Sequence, residues 1–422
     1  MNINKYRNSW IAIYILLNLF AAVVFYNTRE LDGDLIGYPL PNNEILFLTT
    51  SAVVFSYIVW MGLVFKLFSS ISISPVFRDW SRYVQLSDEK KVGYLIFVIQ
   101  TLFFLYCIKE GVNVAGSLAV SESPIRFLWV LFVPDTLFLV YYGIYRKSRF
   151  FPPNLVLYLV SNVVRGWLGM WIIVLFIEGA YRVYEGRIKW SRFLPLGCLG
   201  FLSLPFLYQL KLSIRTAKDA SFSMTAIVSD TLTSLQDLGW AGAFENAIWP
   251  VLMRFQHLAN VIGIAEKSDV LSSAVQNGEF MYFFEEGVPQ YTLRKLFDIQ
   301  NISDIHLQLL TYLIPEQLPV DAVTNTHVGL VGWLWVTPYL APLYFVYILF
   351  LSWCAIWLGR KAGGAPLLMN VIWFAWLGFL MNGWFAAYID FLQAIVIMIF
   401  IRIVFRTRGV WHKDSLNGVA NA

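Results

Sequence analysis

Charge is scarce in this chain. Asp, Glu, Lys and Arg together make up 14% of its 422 residues, about half the share usual in soluble domains. Hydrophobic residues account for 58% and aromatics for 17%, and mean hydropathy is +0.61. That much apolar surface exceeds what one soluble core can hide, which excludes a soluble globule and calls for lipid-facing helices. Cysteine is nearly absent: Cys107, Cys198 and Cys354 all fall in apolar segments, so neither a disulfide framework nor a cysteine metal site is indicated. The four histidines, His257, His306, His327 and His412, lack metal-ligand spacing with cysteines or carboxylates. No phosphate-binding glycine loop, HExxH pair or CxxC pair occurs, so the common soluble nucleotide, metalloprotease and thiol-redox chemistries have no footing. Neither a cofactor nor a metal is expected, and nucleic acid is not expected as a partner.

Long apolar runs fill the space that charge leaves. A hydrocarbon core of about 30 Å takes about 20 helical residues. Runs of roughly that length cover residues 9–26, 45–64, 92–108, 127–145, 193–210, 366–384 and 388–405, with a longer stretch over 328–358. Lys5 and Arg7 precede the first run, which is too long for a signal-peptide core and has no small-x-small cleavage site, so it reads as a retained anchor. Residues 150–181 are apolar but interrupted by Arg165, and are either one span with a buried arginine or two short spans.

Basic residues decide between these, because Lys and Arg concentrate in short cytoplasmic loops. With two spans the chain crosses ten times, both termini are cytoplasmic, and 20 of the 31 Lys and Arg residues fall inside. A single span would export the Arg182–Arg192 cluster and the basic tail. The two-span reading therefore gives an all-α polytopic membrane protein. Seven transmembrane helices lie within residues 1–210, a large loop spans 211–326, three helices lie within 327–405, and a cytoplasmic tail covers 406–422. The loop holds 13 acids and 7 bases in 116 residues. Its stretch 240–262 has apolar residues at helical spacing, so the loop is expected to be helical and to pack on the outer ends of the bundle or dip into the interface. Turn signals stand at 287–289 and 318–320, and Asn301 begins a glycosylation sequon.

Chemistry points to the outer boundary. Arg165, in SNVVRGWLGMW, is flanked by apolar sequence where a charge needs a partner or a route to water. Arg254, in IWPVLMRFQHLAN, lies on an apolar part of the loop, with His257 one helical turn on and Glu245 or another loop acid available as a partner. His327, in TNTHVGLVGWLW, stands where the loop re-enters the membrane, before Gly329 and Gly332, whose size permits close packing. Guanidinium groups offer planar paired donors to phosphate oxygens, and an imidazole can take a proton from a hydroxyl. Arg165, Arg254 and His327 are thus candidates for handling a lipid-linked diphosphate, with snorkelling anchors and a helix cap as their plainer roles. Asp135, after Pro134, faces the bundle interior, where an arginine or a polar cavity would meet it. Asp390 reads as a helix N-terminal carboxylate, and Glu285–Glu286 as a solvated surface pair.

This order of parts resembles the O-antigen polymerase and ligase superfamily, membrane glycosyltransferases of GT-C type. There, an arginine at the outer start of a span (Arg165 in VVRGW) is followed by two spans and a large periplasmic loop with a second arginine (Arg254). A histidine then precedes a glycine-containing span (His327 in HVGLVGW). The chain departs from the common Ser-Arg pair in having Val164 before Arg165. What the resemblance implies is a GT-C-like fold and a metal-independent glycosyltransferase of the Wzy polymerase type in the bacterial inner membrane. It would join undecaprenyl-diphosphate-linked oligosaccharide repeat units in lipopolysaccharide biosynthesis. Arg165 and Arg254 would grip the diphosphate with His257 nearby, His327 would position or deprotonate the acceptor, and Trp240, Trp249 and Tyr282 would stack on sugars. Membrane lipid and a chain-length regulator protein would be its partners. The histidine also suits a ligase that attaches the glycan to lipid A core, and a lipid-linked oligosaccharide flippase is the alternative from another class.

Overall fold

The computed structural model describes residues 2–71, 88–115, 117, 121–186, 190–216, 224–287, 305–314 and 326–405. The sequon at Asn301, the turn signals at 288–289 and 318–320, the tail 406–422 and the basic residues Arg78, Arg82, Arg187 and Lys189 lie outside the described residues. Described elements are helical apart from one isolated β-bridge, Glu30–Pro39. In chain order they are α1 (Ile3–Thr28), α2 (Asn43–Ser70), α3 (Glu89–Glu110), α4 (Arg126–Phe132), α5 (Pro134–Tyr145), α6 (Phe151–Val164), α7 (Met170–Tyr184) and α8 (Trp190–Thr216). Then come α9 (Met224–Met253), α10 (Leu258–Glu266), α11 (Ser268–Gln276), α12 (Ile305–Leu313), α13 (Trp333–Val336), α14 (Ala341–Lys361), α15 (Pro366–Ala375) and α16 (Phe385–Val404).

Six of these helical stretches are long and apolar enough to cross a membrane: α1, α2, α3, α4 with α5 (Arg126–Tyr145), α14 with its preceding turn (Pro338–Lys361), and α16. The protein is therefore a polytopic α-helical membrane protein. Two further apolar helices, Phe151–Val164 and Pro366–Leu380, are shorter. Large side chains such as Leu16, Phe47, Phe55, Val346 and Phe400 stay exposed on the long helices, as lipid-facing positions should. Polar residues set the ends. Asn42 accepts from Ile45 N to start α2, Asp88 accepts from Lys90 N and Lys91 N to start α3, and prolines open α5, α6, α14 and α15.

Contacts sort the connections into two faces. On one, Arg360 donates to the carbonyls of Phe68, Ser69 and Ile71, Asp88 N donates to Phe405 O, Arg402 donates to Ala362 O, and Arg7 donates to Asn370. Arg146 and Arg182 there share Glu178, each at 2.9 Å. On the other face, the turn between α1 and α2 meets the region 249–266: Trp249 donates to Asp32, Asn260 to Asp34, and Tyr38 to Glu266. Among the described residues, these basic side chains gather on the first face, and the second is where the α1–α2 turn meets the loop around Trp249, Asn260 and Glu266.

One expectation about the loop is corrected. Residues 240–262 do not form one segment on the outer surface. Helix α9 ends at Met253, and α10 begins at Leu258 and is buried over Leu258–Ile264, packed among α1, α2 and α13. Its first turn is deep, since His257 N donates to Asn18 in α1 and the His257 ring meets Tyr57 in α2. At 1.5 Å per residue these partners lie roughly 15–20 Å below the outer helix ends. An α-helix can go there because its backbone polar groups are satisfied internally. The long apolar stretch 328–358 is divided in the structure. Thr337 breaks it between the single turn α13 and the 3-10 turn Pro338–Leu340 that leads into α14.

Candidate functional site

Arg165 occupies a helix end built by its own sequence. Gly166 adopts φ +76°, Trp167 N donates to Asn162 O at 2.8 Å and Gly166 N to Val163 O at 2.9 Å, the two bonds of a Schellman cap. The Val-Val-Arg-Gly-Trp motif thus terminates α6 and aims Arg165 inward. Its Nη2 donates to both Asp135 oxygens, at 2.7 and 2.9 Å, and its Nε donates to Ser161. Its side chain is fully buried over the Phe103 ring. Asp135 sits in the first turn of α5 and Arg165 at the C-terminal end of α6, so each charge also complements a helix dipole. The expected interior arginine partner of Asp135 is therefore Arg165, whose charge the carboxylate opposes while its buried Nη1 has no hydrogen-bond partner among the described residues.

Arg254 is in a different situation. The chain between α9 and α10 is a turn, so His257 does not follow Arg254 around a helix as expected. The Arg254 side chain is half exposed and meets Asp34 at 3.4 Å, an acid of the first outer turn rather than Glu245. Lys211 and Arg215, four residues apart on the outer end of α8, complete the cluster. Burial, then repulsion from Arg215 and Arg254, pushes the Lys211 ammonium down to about 8, with Asp34 opposing. Burial and Arg254 lower Arg215, whose Nε finds no hydrogen-bond partner among the described residues. Three cations and one carboxylate therefore converge, with positive charge in excess.

The histidines line the same region. His327 lies against the Trp384 indole at 4.7 Å and edge-on to His306 at 4.6 Å, while Asn260 donates to its carbonyl. Burial, then His306, Arg254 and His257, hold the His327 imidazole well below its usual range and neutral at pH 7. Below it, burial depresses His257 to about 4. Its Nδ1 shares a 3.3 Å hydrogen bond with Tyr57 OH, and its buried Nε2 has no partner among the described residues. The His327 segment is fixed by Gly329 N donating to Asn382 O and Leu330 N to Met381 O. This approach requires glycine at 383, where a Cβ would fall 2.7 Å from the Gly329 backbone.

The aromatic candidates scatter. Trp249 is tied to Asp32 and packs edge-on to Phe20, Trp240 is exposed on α9, and Tyr282 stacks on Phe284 beside Tyr339. Glu286 is buried, not solvated: its Oε2 accepts from Ala386 N and caps α16. Asp390 lies beyond that helix's first turn, so Glu286 takes the dipole role expected of Asp390. Among the described residues no three or more His, Cys, Asp or Glu side chains gather as a metal site. Sequence reasoning missed Lys211, Arg215 and Asp34. The i, i+4 spacing of the two cations just past an apolar run was a visible signal, whereas the arrival of Asp34 depends on tertiary folding. Neither a family model, nor a curated protein, nor a solved structure matches the chain.

Proposed function

We propose that the protein is a metal-independent GT-C-type glycosyltransferase of the bacterial inner membrane, with ten spans and both termini cytoplasmic. It polymerises undecaprenyl-diphosphate-linked repeat units of O-antigen at the periplasmic face. The observation that carries this reading is the meeting of Lys211, Arg215 and Arg254 with the neutral His327 on the face that holds the large loop.

The acceptor sugar hydroxyl attacks the anomeric carbon of the donor glycan. A carbon–oxygen bond forms to the acceptor, and the bond from the anomeric carbon to the diphosphate oxygen breaks. Its electron pair leaves with the lipid diphosphate. Lys211, Arg215 and Arg254 stabilise the growing charge on that leaving group, and His327, kept neutral, accepts the hydroxyl proton. Arg165 supports the fold from its ion pair with Asp135 and does not touch the diphosphate.

Gene deletion with lipopolysaccharide gels tests the reading. Loss of a polymerase leaves core capped by a single repeat unit, and complementation with Arg254→Ala fails to restore the ladder. Bare core would identify a ligase, and an accumulation of lipid-linked units on the cytoplasmic side would identify a flippase.

A further inference from the structure

The Asp34 carboxylate sits among the cations rather than apart from them. It meets Arg254 at 3.4 Å, accepts from Asn260 Nδ2 at 3.4 Å, and attracts Lys211. The turn that carries it is held in place. Leu31 N donates to Tyr38 O, Leu40 N to Arg29 O, and Tyr38 OH to Glu266. At its tip Gly33, with φ +79°, leaves no room for a Cβ, which would lie 2.9 Å from the Gln256 side chain. Asp32 is turned to the Trp249 indole and to Gly33 N. A carboxylate delivered by a separate outer turn into a cluster meant to hold an anion weakens that cluster, so its presence needs a chemical reason.

Charge counting on the ligand supplies one. A diphosphate esterified at both ends, by lipid and by glycan, carries two negative charges. Once the glycan has left, the terminal phosphate has a second ionisation near pH 6, so the lipid diphosphate carries about three charges at pH 7. Three unopposed cations would bind the leaving group harder than the substrate. Resting on the diphosphate reading above, we propose that Asp34 is a specificity-determining residue that tunes the Lys211–Arg215–Arg254 cluster toward the diphosphate diester and speeds release of the diphosphate monoester. A single carboxylate repels each ligand charge, so it penalises three charges by about half as much again as two.

Equilibrium binding of farnesyl diphosphate and of its P2-methyl ester to the purified full-length protein, at pH 7, where Lys211 is still charged, and low salt, tests this. Asp34→Asn should tighten the methyl ester about tenfold and farnesyl diphosphate about thirtyfold, the ratio expected for two against three charges. Asp34→Ser, which alters the side-chain shape as well, should shift both in the same order, and thermal unfolding of each variant checks that it is folded. Equal gains for the two ligands, unchanged affinities, or weaker binding would overturn the proposal and leave Asp34 as a scaffold for Arg254. A different outcome marks failure of the underlying reading: if Arg254→Ala binds both ligands as well as wild type, the cluster is not a phosphate site and the Asp34 proposal falls with it.

Discussion

Two arginines that look alike in sequence do opposite things in the fold. Arg165 is fully buried, its Nη2 donates to both Asp135 oxygens, and it is seated at a helix end that favours its charge. Arg254 is half exposed, faces one carboxylate at a longer 3.4 Å, and has Lys211 and Arg215 beside it. A buried charge must be matched where it stands, because leaving it alone costs several kcal/mol. A cluster that reaches water through the half-exposed Arg254 can keep surplus charge, because water screens it until a ligand arrives. The difference separates an arginine that holds helices together from one available to an anion.

The largest expected effect comes from breaking the first arrangement. Asp135→Ala strands the Arg165 guanidinium and should lower stability by about 3 kcal/mol, seen as a large drop in unfolding temperature in detergent. The double variant Arg165→Met with Asp135→Leu should recover most of that loss, since an apolar pair of similar volume suits a buried site. Breaking the second arrangement should spare the fold. Arg254→Ala or Arg215→Ala should reduce glycan polymerisation by about 10²-fold, by analogy with removal of one charge-stabilising donor, while the unfolding temperature moves by no more than a degree or two.

Smaller effects sharpen the boundary between the sites. Gly383→Ala pushes a Cβ against the Gly329 backbone and should cost about 1–3 kcal/mol, displacing His327 and lowering activity without touching the Arg165 clamp. The buried histidine adds a pH signature. With His257 depressed to about 4, the unfolded chain binds a proton that the folded chain does not, between about pH 6.5 and 4, so stability falls as pH drops through that window. The loss should reach about 1–2 kcal/mol by pH 5, and His257→Gln should flatten the dependence in a pH series of thermal melts.

The helical, membrane-crossing architecture was legible from apolar run length, which follows from the bilayer as solvent. The connections of Arg7, Arg146, Arg182, Arg360 and Arg402 fall on one face. Composition could not reveal that α10 enters the bundle. Its sequence, LANVIGIAE, is apolar, but burial on all sides appears only once Asn18 and Tyr57 are seen to receive His257. Within the candidate site, Arg254 and His327 come into one region, whereas the pairing of Arg165 with Asp135, 30 residues earlier, is invisible to local pattern. Glu286 was misread for the same reason: an acidic pair reads as solvated until a helix N-terminus is found to need it.

The most direct test of the central distinction is farnesyl diphosphate binding to purified wild type, to Arg254→Ala, and to the Arg165→Met, Asp135→Leu double variant. Arg254→Ala should bind at least about tenfold more weakly, and the double variant should bind as wild type does. Full binding by Arg254→Ala together with loss in a folded double variant would contradict the account and return the diphosphate to Arg165.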